Sequence, residues 1–205
     1  MRLRFVRHAP TEWNREGRYQ GRTDTPIGEA GLREAHRIAE TLRGDPVDLV
    51  VTSPLRRALR TAEVIAAALG GVRRLVDERL VEIAFGDWEG LTQDEIRARW
   101  PSALRGWKRT PQATRFPGGE SLHDAAERLR DFLRTPPWRT EGCVGNVVAV
   151  SHAGPIRLAR LLAERRPLAQ FREIPVAAGV AEEFRWSASE GLAPSHPSPS
   201  PQDLP

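Results

Sequence analysis

The sequence is poor in cysteine, and its apolar runs are short. Cys143 is the single cysteine among 205 residues, which excludes an internal disulfide and offers no cysteine-based metal cluster or Cys-x-x-Cys redox pair. No run approaches the roughly 20 apolar residues that cross a bilayer, and Arg7 interrupts the apolar start before a signal-peptide core could form. We therefore expect a cytoplasmic protein with no membrane partner, and a Cys143 side chain that is small and buried beside a strand.

Lysine is nearly absent as well, because Lys108 is the single lysine and the other basic side chains are arginines. The isoelectric point of 10.4 is high although the net charge is only +4. A basic chain can indicate a nucleic-acid-binding protein, but here the arginines are interspersed with acids, as between residues 29 and 43. Without an uninterrupted basic block, no nucleic-acid partner is expected.

The pattern of apolar residues alternates between strand-like and helical stretches. Short apolar runs at 49–52 and 146–151 predict buried strands, whereas helical spacing predicts helices over 28–44 and 55–69. A last strand is expected within 177–186. This alternation is typical of βαβ units that build a mainly parallel sheet in an α/β protein.

One domain is expected over residues 1–186, since 40% hydrophobic residues suffice for one good core in a chain of this length. Within it, residues 85–120 are rich in Trp, Gly and Pro and predict a small flap over the site. The flap contains a short helix that starts at Thr92, with Glu95 closing a capping box. Residues 187–205 consist largely of Ser, Pro and Gly, which predicts a disordered tail.

Two of the predicted strands end in histidine. Arg7 and His8 follow the first apolar run, and His152 follows the run that ends at Ser151. In open α/β sheets, the residues just past the carboxyl ends of the strands line the ligand crevice. If both strands belong to one parallel sheet, the two imidazoles and the arginine meet at one edge and suit an anion.

Further polar residues fall beyond predicted strands, where packing of the core does not explain them. Asn14, Ser53 and Arg57 are of this kind, and Arg57 faces back toward the sheet edge if its helix starts near residue 55. Glu82 interrupts an otherwise apolar stretch, and a buried carboxylate there would tend to be protonated.

Structural explanations compete with these assignments. A histidine after a strand can be an ordinary core or surface residue, Arg56 competes with Arg57, and Glu82 could be the structural partner of an arginine. Asn14 and Thr23 are residue types that also serve turns and caps. A metal site would need His8, His152 and Glu82, but no His-Glu-x-x-His spacing supports one and the arginines would repel a cation.

Six blocks of sequence span about residues 3–160: RHAPTEWN at 7–14, GRYQGRTDTP at 17–26, SPLRRALRTA at 53–62, LVEIAFGDWEG at 80–90, GGES at 118–121 and VSHAG at 150–154. In this order they resemble the histidine phosphatase superfamily, also called phosphoglycerate mutase-like, whose first strand ends in Arg-His-Gly. The resemblance implies a three-layer α/β/α sandwich with a mainly parallel central sheet. It also implies a phosphatase that works through a phosphohistidine, without metal or other cofactor.

The resemblance assigns roles to the polar residues. His8 would attack phosphorus, while Arg7 and Arg57 would hold the phosphoryl oxygens. His152 would be a further donor to these oxygens, and Glu82 would protonate the leaving alkoxide and then activate water. A second group is expected to bind a small phosphorylated substrate: Asn14, Gln20, Gly21, Thr23, Ala153 and Gly154.

The sequence departs from the family pattern in two places. Ala9 replaces the glycine after the nucleophile, which would cost about 1 kcal/mol if a positive φ were needed there. The run Glu82-Ile83-Ala84-Phe85-Gly86 lacks the Arg and Tyr of the mutase motif Glu-Arg-His-Tyr-Gly, so hydrolysis is favoured over mutase activity. The blocks at 85–90 and 118–121 look like those of α-ribazole phosphate phosphatases. A phosphoglycerate mutase, a non-catalytic phosphate-binding protein and a homodimer are left open.

Overall fold

A computed structural model describes residues 1–139, 145–177 and 179–195. Cys143, on which one prediction fell, lies outside these ranges. The described residues form one sheet of six strands: β1 (Arg2–Arg7), β2 (Leu49–Thr52), β3 (Arg74–Val76), β4 (Asn146–Ser151), β5 (Ala181–Ser187) and β6 (Gly191–Pro194).

The helices follow the predicted alternation with the strands. The α-helices are α1 (Glu12–Arg15), α2 (Glu29–Thr41), α3 (Arg56–Ala68), α4 (Gln93–Arg99), α5 (Pro101–Arg109), α6 (Leu122–Arg134) and α7 (Ala153–Ala163). Short 3-10 helices lie at Glu78–Leu80, Gly86–Trp88, Pro111–Ala113, Pro137–Arg139 and Leu168–Glu173. The capping box expected from Thr92 and Glu95 is present at the start of α4.

The sheet order is β3-β2-β4-β1-β5-β6. β1, β2, β3 and β4 run parallel to one another, β5 is antiparallel to β1, and β6 is antiparallel to β5. Arg7 at the end of β1 pairs with Ser151 at the end of β4. His8 and His152 therefore leave neighbouring strands at the same edge, as predicted.

Alternating side chains of the buried strands build a core on each face of the sheet. On one face, Phe5 and Ala149 pack with residues of α6 and α7. On the opposite face, Val6 and Val150 pack with the apolar sides of α2 and α3. Each strand thus contributes to both cores with a period of two, and the expected α/β/α sandwich with a mainly parallel sheet is confirmed.

The 85–120 segment folds into α4, α5 and two 3-10 helices. Trp88, Ile96 and Phe116 are fully buried in the core that also includes α6 and α7. The segment is therefore packed against the domain, and its residues Phe85 and Trp107 reach the pocket described below.

The disordered tail predicted from residue 187 is wrong for residues 187–195. The chain turns at Gly191, whose φ is +74°, and β6 pairs with β5, with Trp186 opposite Leu192. A sheet edge binds a strand through main-chain hydrogen bonds, so few apolar side chains are needed. The domain consequently extends past residue 186, while residues 196–205 lie outside the described part.

In the described ranges, no helix combines the length and the apolar character needed to cross a bilayer. The cytoplasmic location and the homodimer stay predictions.

Candidate active site

His8 is fixed by hydrogen bonds from the elements around it. Its backbone N–H donates to Ser151 O at 2.9 Å, and the N–H of Ala9 donates to Thr61 Oγ1 at 3.0 Å. The ring atom Nδ1 lies 2.8 Å from Ala9 O. A carbonyl oxygen can only accept, so Nδ1 carries the proton and Nε2 keeps its lone pair. Nε2 is thereby available to attack an electrophile.

The environment of His8 keeps the ring neutral. The side chain is only 4% exposed. Burial, followed by the positive charge of Arg57, holds the pKa of His8 well below its ordinary value. A neutral imidazole at pH 7 is the form that can act as a nucleophile.

Ala9 fits the backbone without strain. Among the described non-glycine residues, Arg165 alone has a positive φ, so Ala9 is outside the left-handed region. The penalty considered for alanine at this position does not arise.

Arg57, near the start of α3, is fully buried. Its Nη1 donates to Thr23 O at 2.9 Å and its Nη2 to Gly21 O at 2.6 Å. Its Nε is buried without a hydrogen-bond partner. Burial lowers the pKa of Arg57 to about 10, so the side chain still carries its charge at neutral pH. Arg56, its sequence competitor, is exposed.

Arg7 lies half-buried at the end of β1. Burial lowers its pKa and the nearby Glu82 opposes that shift. Since no acceptor among the described residues takes a hydrogen bond from its guanidinium, the planar donor group of Arg7 faces the pocket with its full capacity for an anion.

His152 lies next to His8, with the two ring centroids 4.9 Å apart. Its Nε2 is 2.8 Å from Ser53 Oγ, and Ser53 Oγ also accepts the N–H of Leu55 at 3.4 Å. The Ser53 hydroxyl can donate to Nε2, and in that tautomer the His152 proton lies on Nδ1. That Nδ1 is buried without a partner. Burial and the proximity of His8 lower the pKa of His152 well below its ordinary value.

Glu82 is a buried carboxyl group whose two side-chain oxygens accept different hydrogen bonds. Oε1 accepts the N–H of Ile83 at 2.8 Å and that of Gly154 at 3.1 Å. Burial raises the pKa of Glu82 and outweighs these hydrogen bonds and the charge of Arg57. Oε2 accepts only the longer contact from the Gly154 N–H, at 3.3 Å, so the proton is better placed on Oε2 than on Oε1, and from there Glu82 can act as a general acid.

Arg7, His8, Arg57 and Glu82 line a pocket of about 340 Å³, a size suited to a small ligand. His152 is fully buried and is not part of this lining. Nine of the predicted site residues line it: Arg7, His8, Asn14, Gln20, Gly21, Arg57, Glu82, Ala153 and Gly154. Within the part of the chain that the structure describes, no group of three or more His, Cys, Asp or Glu side chains has the arrangement of a metal site.

Thr23 is not part of this pocket lining, and its role in substrate binding stays a prediction. It is exposed, and its hydroxyl donates to Glu89 Oε2 at 2.5 Å. Its carbonyl oxygen accepts from Arg57. Thr23 therefore holds Arg57 in place through its backbone while its hydroxyl is engaged elsewhere.

Gln20 and Asn14 reach the pocket but also stabilise its loops. Gln20 Nε2 donates to Thr11 Oγ1 at 3.0 Å and to Thr25 Oγ1. Asn14 Oδ1 accepts the backbone N–H of Thr11 at 3.0 Å and so closes the capping box of α1.

Several residues of the pocket lining were not predicted from the sequence, among them Arg157, Arg172, Trp107 and Phe171. Arg157 lies four residues after Ala153 on α7, a spacing that places both on one helix face and could have revealed it. Arg172 lies in a 3-10 helix, where no periodic signal marked it.

A conserved-family model described as the histidine phosphatase superfamily (branch 1) matches residues 3–192. The chain belongs to this superfamily. It is 36% identical to phosphoserine phosphatase 1 of Hydrogenobacter thermophilus over 160 residues, which is 77% of this chain and 73% of the relative.

Solved structures agree with the fold. The YhfR structure of Bacillus stearothermophilus superposes with a TM-score of 0.84 at 30% identity, covering 95% of each chain. The α-ribazole phosphatase of Shigella flexneri superposes with a TM-score of 0.82 over 94% of each chain. At 24% identity, this second similarity shows the shared fold alone.

Proposed function

We propose that this protein is a metal-independent phosphomonoester hydrolase that transfers the phosphoryl group of a small phosphorylated metabolite through His8. The observation that carries the proposal is that His8, whose Nε2 is free, lines one pocket together with Arg7, Arg57 and Glu82. Arg57 Nε and His152 Nδ1 are both buried without partners. Buried polar groups are nearly always hydrogen-bonded in native proteins, and a phosphoryl group would supply the missing acceptors.

The first step forms a bond between His8 Nε2 and phosphorus while the bond from phosphorus to the ester oxygen breaks. Arg7 and Arg57 stabilise the charge on the phosphoryl oxygens. Glu82 gives its Oε2 proton to the leaving alkoxide, so the alcohol departs neutral.

The second step consumes water. Glu82, now a carboxylate, accepts a proton from a water molecule as its oxygen attacks phosphorus. The bond from phosphorus to Nε2 breaks, which returns neutral His8, a protonated Glu82 and inorganic phosphate. Each group ends in its starting state, and no cofactor takes part.

The similarity to phosphoserine phosphatase 1 supports hydrolysis over mutase activity and over phosphate binding without catalysis. The residues that follow Glu82 also favour it, because Ile83 and Phe85 are apolar where the mutase motif has donors for a phosphoglycerate. A non-catalytic phosphate-binding protein would not need a general acid, whereas Glu82 is a buried carboxyl group with a raised pKa that lines the same pocket as His8.

Hydrolysis of p-nitrophenyl phosphate, with and without EDTA, tests the proposal. The native protein, His8→Ala and His123→Ala are compared; His123 is an exposed histidine on α6. We expect turnover that resists EDTA, survives His123→Ala and disappears in His8→Ala. Activity abolished by EDTA would indicate a metal enzyme. An inactive native protein would favour a binding protein or a mutase.

A further inference from the structure

We propose that the pocket contains a second anion subsite, formed by Arg157 and Arg172, that binds a further anionic group on the alcohol portion of the substrate. The group is a carboxylate or a second phosphate. This inference rests on the proposed hydrolase and specifies its substrate class: phosphate monoesters whose alcohol is itself an acid.

The guanidinium groups of the two arginines stack on two neighbouring aromatic rings. Arg157, half-buried on α7, places its guanidinium over Phe171 at 5.5 Å from the ring centroid. Arg172 lies over Trp107 at 5.8 Å. The Trp107 and Phe171 centroids are 5.7 Å apart. Cation–π stacking of this kind orients the guanidinium plane and leaves its edge donors free.

A hydrogen bond fixes Arg157 further. Its Nε donates to Ile174 O at 2.9 Å, which occupies one side of the fork and leaves the Nη groups for a ligand. Burial lowers the pKa of Arg157, Glu82 opposes that shift, and the charge of Arg172 is close enough to lower the pKa further. Two neighbouring cations in a pocket are stabilised when an anion binds between them.

The charge balance of the pocket supports the same conclusion. Among the described residues, its lining contains five arginines and a single carboxyl group, Glu82. Arg18 is neutralised by Glu16 and Glu95. Arg7 and Arg57 would balance the two charges of the phosphoryl group undergoing transfer. Arg157 and Arg172 are then the two arginines of the lining whose charge is not balanced, since neither pairs with a carboxylate in the described ranges.

A matched series of alkyl phosphates tests the subsite. The esters carry a carboxylate, a phosphate or a neutral hydroxyl at the far end, with chains of increasing length in each series. The native protein is compared with Arg157→Gln and Arg172→Gln. Arg130→Gln is the control, since Arg130 lies on α6 and pairs with Glu127 outside the pocket.

For the native protein, we expect kcat/KM for the best anionic-ended ester to exceed that of its hydroxyl-ended match by about tenfold or more, as for hydrogen bonds to charged groups. Each pocket variant should lower this ratio several-fold, and added salt should lower it in the native protein. Arg130→Gln should leave the ratio unchanged. A larger ratio for the carboxylate or for the phosphate series identifies the bound group.

Equal kcat/KM for all end groups would overturn the subsite while leaving the hydrolase intact. An anionic preference that survives in both pocket variants would also overturn it. No turnover of any ester, p-nitrophenyl phosphate included, would overturn the hydrolase and the subsite together.

Discussion

The backbone N–H of Gly154 donates to both side-chain oxygens of Glu82, at 3.1 and 3.3 Å. A Cβ at position 154 would lie 2.2 Å from Glu82 Oε1 and 2.8 Å from an Ile83 methyl group. Helix α7 can therefore approach the carboxyl group this closely only with glycine at its second residue. The contact links the start of α7, directly after β4, to Glu82, the general acid of the proposed mechanism.

Gly154→Ala should displace Glu82 and lower kcat for alkyl phosphates by about a hundredfold, the cost of a misplacement of about 1 Å. The substitution alone would favour the helix by up to about 1 kcal/mol, so a general loss of helix stability cannot explain reduced activity. Gly106→Ala on α5 is the control, because its nearest neighbour would be 3.8 Å away. Steady-state kinetics and thermal unfolding of both variants provide the test; full activity in Gly154→Ala would contradict the role given to this contact.

Ser53→Ala should weaken the site through the tautomer of His152. Without the Ser53 hydroxyl, Nε2 loses its donor and the proton is no longer fixed on Nδ1. We expect kcat/KM to fall by about tenfold, because His152 would lose one hydrogen bond to the charged phosphoryl group of the substrate. Nitrogen NMR of the imidazoles should show a changed Nδ1–H population for His152. Exposed Ser102→Ala serves as the control, and unaltered His152 resonances in Ser53→Ala would refute the assignment.

Glu89 joins the loop that holds Arg57 to the segment after Glu82. Its oxygens accept the backbone N–H groups of Arg22, Thr23 and Phe85 at 3.0, 2.7 and 3.0 Å. Glu89→Gln replaces one acceptor with an amide donor, so at least one of these bonds is lost. The carbonyl oxygens of Gly21 and Thr23 would then shift relative to Arg57. We therefore expect KM to rise and kcat to fall, so that kcat/KM decreases by about tenfold.

Glu63→Gln is the matched control for Glu89→Gln. Glu63 lies on the exposed side of α3, the helix that carries Arg57, and pairs with Arg60. Unchanged kinetics in Glu89→Gln, or an equal loss in Glu63→Gln, would exclude a positioning role for Glu89.

The role of Glu82 predicts a difference between leaving groups. An alkoxide needs a proton as it departs, whereas p-nitrophenolate is a stable anion. As pH rises through the raised pKa of Glu82, the acid is lost and turnover of an alkyl phosphate should fall. Turnover of p-nitrophenyl phosphate should fall less over the same range. Glu82→Gln should likewise lose about a hundredfold or more on the alkyl ester, and a much smaller factor on the aryl ester. Identical pH profiles for the two esters would count against proton donation by Glu82.

Strand ends were the most predictable part of the site. The apolar runs before His8 and His152 predict neighbouring parallel strands, and the register of Arg7 against Ser151 confirms them. Arg57 was distinguishable from Arg56 because the first turn of α3 turns only one of them toward the sheet edge. These inferences depend on local periodicity, which a sequence records directly.

Features set by tertiary contacts were less predictable. Strand β6 forms because β5 offers an open edge, which the Ser-, Pro- and Gly-rich composition of the last residues does not reveal. Threonine is a residue type that can donate a hydrogen bond to phosphate, but the Thr23 hydroxyl donates to Glu89, which is distant in sequence. Arg172 meets Trp107 only after the 85–120 segment has packed beside the 3-10 helix at Leu168–Glu173.

Direct capture of a phosphorylated His8 is the most decisive measurement. The native protein is mixed with excess p-nitrophenyl phosphate, quenched within the first turnover under alkaline denaturing conditions that preserve phosphohistidine, digested and analysed by mass spectrometry. We predict one phosphoryl group on the peptide containing His8, formed in step with a burst of p-nitrophenolate and absent in His8→Ala. Turnover without phosphate on His8, or phosphate on a different residue, would contradict the phosphohistidine mechanism.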